Sequence, residues 1–246
     1  MKYISLLLTT LLATSAFASE FEETLELAEK GDAVAQYNMA VMYDYGEGIA
    51  LNDEEAFKWY LKAAIQGDKD AQNSVGNMYD LGEGVEENNT EAMKWYLKAA
   101  QQDDNKAINN IAALYETGDG VSKNLAKAEE WYIKGAKKGD ATSQFNLSLL
   151  LAKEREFVEA FYWAEKSAKQ GNADAQAFLG GLYADGYGVI QNEIYAYVWL
   201  SISKAQGALV AEDELVKLSF FMTPEKIEKA KSIANKCWKS NYKDCD

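Results

Sequence analysis

Between residues 31 and 206, apolar residues recur at helical spacing, and the whole pattern repeats about every 36 residues. Units begun at Gly31, Gly67, Asp103, Gly139 and Gly171 align column by column. One column holds only small residues: Ala40, Gly76, Ala112, Ser148 and Gly180. Each is preceded by an apolar residue (Met39, Val75, Ile111, Leu147, Leu179) and followed one turn later by Tyr43, Tyr79, Tyr115, Leu151 or Tyr183. With Ala35, Ala71, Ala107, Ser143 and Ala175 these positions form one face of a helix, and its small residues admit a close neighbour. A second helix per unit carries Ala56, Ala92, Ala128, Ala160 and Ala196, then Trp59, Trp95, Trp131, Trp163 and Trp199. A period of this length predicts an all-α solenoid of helix-turn-helix units, because one hairpin cannot bury its stripe without the next.

The two helices of a unit are joined by a glycine corner, spelled MYDYGEG at 42–48, MYDLGEG at 78–84, LYETGDG at 114–120 and LYADGYG at 182–188. The first glycine of each pair (Gly46, Gly82, Gly118, Gly186) is placed where a helix ends in a left-handed residue. The second (Gly48, Gly84, Gly120, Gly188) completes the turn, Ile49, Val85, Val121 and Val189 return to the core, and Asn52, Asn88, Asn124 and Asn192 are N-caps for the second helix. The fourth unit lacks the glycine pair and is four residues shorter, which predicts a tighter hairpin. Recurring at one helical phase beside Ala, the Trp and Tyr columns read as core rather than as a ligand cage.

Five units follow at 31–66, 67–102, 103–138, 139–170 and 171–206, with a capping segment at 19–30 and capping helices in 207–246. In the last of these Thr223 is the expected N-cap and Pro224 the first helical residue. Residues 1–18, MKYISLLLTTLLATSAFA, have the charged start, short apolar run and small-x-small end of a signal peptide cut after Ala18. They predict a periplasmic or secreted chain without membrane insertion. Cys237 and Cys245, the only cysteines, are then expected to form a disulfide.

The formal net charge of −14 and a single arginine, Arg155, argue against nucleic acid as a partner. The chain has no histidine, which removes the commonest general base and zinc ligand. Ser-x-x-Lys pairs occur at Ser201/Lys204 and Ser240/Lys243, with neither of the companion elements a serine hydrolase of that type requires. Loop acids such as Asp44 with Glu47 and Asp80 with Glu83 lack EF-hand spacing and read as solvated charge, with Lys62, Lys98 and Lys134 as partners for nearby acids. No cofactor, no metal and no catalytic residue is expected.

GDAVAQYNMAVMYDYGEGI with EAFKWYLKAA, and GDKDAQNSVGNMYDLGEGV with EAMKWYLKAA, resemble the Sel-one-like repeat family, a relative of the tetratricopeptide repeats. The likeness extends over about residues 28–206 and is weakest in the fourth unit. It implies a right-handed α-solenoid that acts as an adaptor for a protein or peptide. Structural scaffolding is a further possibility, as is the β-lactamase-like or cell-wall-binding activity of the family's cysteine-rich branch, although this chain has no disulfide within its repeats. If the tetratricopeptide correspondence holds, the first helices line the concave side. The candidate partner-binding residues are then Tyr37, Asn38, Val41, Asn73, Asn77, Lys106, Asn109, Asn110, Phe145 and Asn146. Two roles are open to Asn38, Asn110 and Asn146, which share a column: gripping a peptide backbone, or bracing neighbouring helices.

Overall fold

A computed structural model describes residues 20–245, and among them every regular element is a helix. The expected signal peptide lies outside the described residues. Residues 20–29 form α1, followed by α2 (Ala33–Tyr45), α3 (Asp53–Ile65), α4 (Lys69–Leu81), α5 (Asn89–Gln101), α6 (Asn105–Thr117) and α7 (Leu125–Lys137). Then come α8 (Ala141–Lys153), α9 (Phe157–Ala168), α10 (Ala173–Asp185), α11 (Glu193–Ala205), α12 (Leu209–Ser219) and α13 (Pro224–Lys239). The chain forms two compact units that divide between Ala128 and Glu129, within α7. Each is a stack of antiparallel helical hairpins, the α-solenoid arrangement. In the first, α2 pairs with α3 and α4 with α5; in the second, α8 pairs with α9 and α10 with α11, which α12 and α13 then cover.

The periodic columns account for the close packing within hairpins. Ala40, Ala112 and Ser148 are fully buried. A methyl group added at Gly76 would stand 2.5 Å from the Tyr96 ring, and one at Gly180 would stand 2.7 Å from Leu200 Cγ. Both glycines therefore mark places where the second helix has come too close for any side chain. Trp59 and Trp199 are buried, and Trp95, Trp131 and Trp163 are half-buried. The lysines one turn beyond them lie over the indole rings. Lys62 and Lys98 place their ammonium groups 3.4 Å from the centres of the Trp59 and Trp95 rings, and Lys134 stands 4.8 Å from that of Trp131. A Lys three residues after a Trp lies on the same helix face, so its apolar stem covers the indole and its charge meets the ring's negative face.

Caps fix where each helix begins and ends. Asn52, Asn88, Asn124 and Asn192 accept from backbone N–H groups in the first turns of the second helices, as the sequence predicts. The first helices are capped too, by Asp32, Asp68, Asp104, Asp140 and Asn172. At the glycine corner, Gly82 has φ +71 and closes α4 by donating its N–H to the Met78 carbonyl. Gly84, at φ +67, also meets a neighbouring repeat, since a Cβ there would overlap the Asp53 carbonyl at the start of α3. The corner of one repeat thus lodges against the first turn of the preceding repeat's second helix, and Gly120 against Asn89 and Gly188 against Phe157 repeat the arrangement. In the fourth repeat only residues 154–156 separate α8 from α9, against residues 46–52 between α2 and α3, which is the tighter hairpin expected.

A glutamine ladder ties repeats together. Gln36 donates to the Ala28 carbonyl, Gln72 to Ala64, Gln144 to Ala136 and Gln176 to Ala168, all at 3.0–3.1 Å. Each carbonyl lies near the end of the preceding helix and also accepts from the N–H of the glycine three residues on, so the glutamine uses its second lone pair. A second glutamine, at the end of the repeat's own second helix, donates to the first: Gln66 to Gln36, Gln102 to Gln72, Gln170 to Gln144 and Gln206 to Gln176. The third repeat has Ile108 and Lys138 at these two positions. At the C-terminal end Thr223 caps α13 with Pro224 at its first position, and a disulfide joins Cys237 to Cys245.

Candidate functional site

The first helices of the repeats carry both features of interest, and the two units use them differently. In the first unit the inward columns form a polar network. Asn110 Nδ2 donates to Asn77 Oδ1 (2.9 Å) and to Asn73 Oδ1 (3.2 Å), linking α6 to α4. The Tyr96 hydroxyl of α5 donates to the same Asn77 oxygen (2.8 Å) and stands 3.3 Å from Asp80 Oδ2. Asn73 and Asn109 are buried, and Asn109 donates to the Asn105 carbonyl. One repeat earlier the Tyr60 hydroxyl donates to Asp44 Oδ2 at 3.0 Å. Asp44 and Asp80, expected as solvated loop charge, therefore serve as acceptors for tyrosines.

Burial governs the electrostatics of this network. It pushes the Tyr60 and Tyr96 hydroxyls far above the usual phenol range, and the neighbouring Asp44 and Asp80 add to the effect. Asp80 is itself raised, chiefly by burial, with the Tyr96 hydrogen bond acting in the opposite direction. Tyr37, also raised by burial and then by Asp70, packs against the Tyr60 ring at 5.5 Å. Of the sequence-derived candidates in this unit, Asn38 and Lys106 are exposed, Val41 is half-buried, and Asn73, Asn77, Asn109 and Asn110 are engaged in the hydrogen bonds above.

In the second unit the same columns turn apolar and leave an open groove of about 800 Å³ along α8, α10 and α12. Phe145 and Phe178 meet edge to face at 6.3 Å on its floor, with Leu149 and Leu182 beside them. Phe157, the first residue of α9, stacks on Tyr187 of the glycine corner with ring centres 4.6 Å apart. Gly181 lies on the floor, and a Cβ added to it would meet nothing within 4 Å. Leu209 and Val210 are 82 % and 70 % exposed, so on the α12 side the site is a trough rather than an enclosed cavity. Asp174 and Asp185, at opposite ends of α10, also line it. Glu214, the remaining carboxylate, is ion-paired with Lys217 at 2.7 Å. Phe145 thus belongs to the groove, and Asn146 is half-buried beside it in sequence.

The sequence-derived candidates omit α10, because the inward columns carry them only through the fourth repeat. The same spacing applied to the fifth gives Asp174, Ala177, Phe178, Gly181, Ala184 and Asp185, and all but Ala184 line the groove. The glutamine ladder is equally visible as a column, at Gln36, Gln72, Gln144 and Gln176, and its role emerges only from the hydrogen bonds. As for hydrolytic chemistry, Lys204 Nζ is engaged with Glu212 at 2.8 Å, and Ser240 Oγ donates to the Cys237 carbonyl while accepting from two backbone N–H groups.

Comparison with known proteins agrees with this architecture. Five consecutive stretches, residues 33–68, 69–104, 105–140, 141–172 and 173–207, match the Sel1 repeat. A Sel1 repeat protein from Oxalobacter formigenes is 29% identical, with a TM-score of 0.72 over 88% of this chain and 99% of its own. The protective antigen c5321 of uropathogenic Escherichia coli, which displays an SLR fold, is 29% identical with a TM-score of 0.53, over 92% of this chain and 61% of its own. The immunity protein Pa5087 of Pseudomonas aeruginosa, at 23% identity and a TM-score of 0.50, covers 87% of this chain and 83% of its own, and shares the fold. No curated protein matches the chain. Repeat by repeat, from the glycine corners to the paired helices, this chain belongs to the Sel1 repeat family.

Proposed function

We propose that this protein is a noncatalytic repeat scaffold, exported to the periplasm or beyond, that binds a protein or peptide on the face formed by its first helices. One observation carries the reading: the apolar groove on α8 and α10 is built from positions where the first unit places a satisfied polar network. Apolar surface left open to water at repeat positions marks a place where something else is buried. The family's general role in protein–protein interaction supports the class of partner. Within the column of Asn38, Asn110 and Asn146, the Asn110 amide is engaged with Asn73 and Asn77 of the neighbouring repeat, and we assign the gripping role to the groove instead.

Selection of a random-peptide library on the full protein tests this, with a Gly181→Phe variant as the counter-selection. Because a Cβ at Gly181 enters open space, the variant fills the groove while α10 keeps its packing, which circular dichroism verifies. Peptides enriched by the wild type and lost on Gly181→Phe are the expected result. No enrichment, or binders indifferent to the variant, overturns the assignment of the binding face.

A further inference from the structure

Resting on that reading, we infer that the α8–α10–α12 groove takes an extended peptide segment with apolar side chains between two cationic ones. The charge pattern is the first argument. Among the described residues Asp174 and Asp185 carry no ion pair, unlike Glu214, and they stand at the two ends of the apolar floor. They are eleven residues apart on one helix, so the carboxylates are separated by about 16 Å along its axis at about 1.5 Å per residue. Asp185 is the last residue of α10, where the helix dipole disfavours a negative charge. The aspartates of the neighbouring column, Asp44 and Asp80, accept from buried tyrosines; Asp185 has no such partner among the described residues. Two exposed carboxylates without an ion pair, bracketing an apolar strip, complement a ligand of the pattern cation–apolar–cation, in a protein whose net charge of −14 already attracts cations.

The second argument is size. The interval of about 16 Å between the two carboxylates is the length of a short extended segment, and the groove beside it holds about 800 Å³. Side chains alternate in face along an extended chain, so cations four positions apart share one face about 13 Å apart at about 3.3 Å per residue, and flexible lysine stems cover the rest of the interval between Asp174 and Asp185. A compact apolar molecule would use the floor and neither carboxylate.

Fluorescence anisotropy on the full protein tests the assignment with two labelled peptides in Gly/Ser flanks. One carries the core Lys-Leu-Phe-Leu-Lys, and the other has Glu in place of both Lys. We expect the Lys probe to bind at least about tenfold more tightly, the margin to shrink as salt rises, and an Asp174→Asn/Asp185→Asn double variant to bind both probes alike. Equal binding of the two probes to the wild type, a preference that survives the double variant, or no binding of either overturns the inference. Binding of both probes that is lost on Gly181→Phe but indifferent to charge would refute the ligand class alone. The library selection judges the binding face independently.

Discussion

Replacing Gly84 by alanine, beside the same change at Gly82, separates the strain of a left-handed residue from the packing of one repeat on another. Both glycines have φ near +70 and both belong to the corner after α4. Alanine in that conformation costs about 1–2 kcal/mol, offset by about 0.4–1 kcal/mol from the stiffer unfolded chain. At Gly82 the added Cβ comes no closer than 3.4 Å to Glu87, so this small balance is the whole effect. At Gly84 the Cβ overlaps backbone of the neighbouring repeat, the Asp53 carbonyl and the Glu54 nitrogen, which a side-chain rotation cannot relieve. Overpacking of that kind adds about 1–3 kcal/mol. Urea unfolding followed by circular dichroism should therefore place the Gly84→Ala midpoint below that of Gly82→Ala by on the order of 1 M, at slopes of about 1–3 kcal/mol per M. Gly31→Ala, with φ +95 and nothing within 4 Å of the new Cβ, is the strain-only control. Equal midpoints for Gly82→Ala and Gly84→Ala would refute the view that the second glycine locks one repeat to the previous one.

Gly76→Ala should destabilise by about 1–2 kcal/mol in the same assay despite alanine's better helix propensity, because Tyr96 is held by Asn77 and Asp80 and cannot yield; a more stable variant would contradict this. Asn77→Ala strips the Tyr96 hydroxyl and the Asn110 amide of a shared acceptor and should cost about 1–3 kcal/mol, read as a drop in urea midpoint. Glu129 is held above the usual carboxylate range by burial first and then by Glu154 and Glu156. A raised carboxyl favours folding while protonated, and that contribution is lost as pH rises through the raised value. Glu129→Gln should accordingly raise the melting temperature at pH 7 and have little effect below pH 4, as differential scanning calorimetry would report. Cys237→Ser with Cys245→Ser should cost about 2–3 kcal/mol for so short a loop, and a reducing agent should lower the wild-type melting temperature but not the variant's.

The fold is legible in the sequence because its determinants are local and repeated. A column of small residues every 36 positions, or a glycine pair before a capping Asn, states the same constraint several times. Even so, the reason for Gly84 is only half readable: its left-handed φ follows from the motif, but the backbone it presses against is 31 residues earlier in sequence. The candidate site is harder for a different reason. Asn77 and Asn110 look like ligand-binding amides in a sequence, and only their geometry reveals that each is the other's partner. Phe145 is a candidate by its column, but Phe178, one repeat on, emerges only from the space left open above Gly181. The Lys62 and Lys98 side chains mislead because nearby acids are easier to count than the direction of an indole face.

The lock between repeats has a consequence for how such a chain can lengthen. The second module offers its glycine corner and Gln72 to the first, and its own second helix receives the corner of the third at Asn89, with Ile108 in place of the glutamine. Copying one such 36-residue block beside itself would then create only joints already in use. At α11 that series stops: Glu193 is met by Lys226 of α13 at 2.7 Å, an ion pair in place of a corner. Duplication is thus open in the interior and closed at that terminus, so new modules should arise between old ones and not after the last.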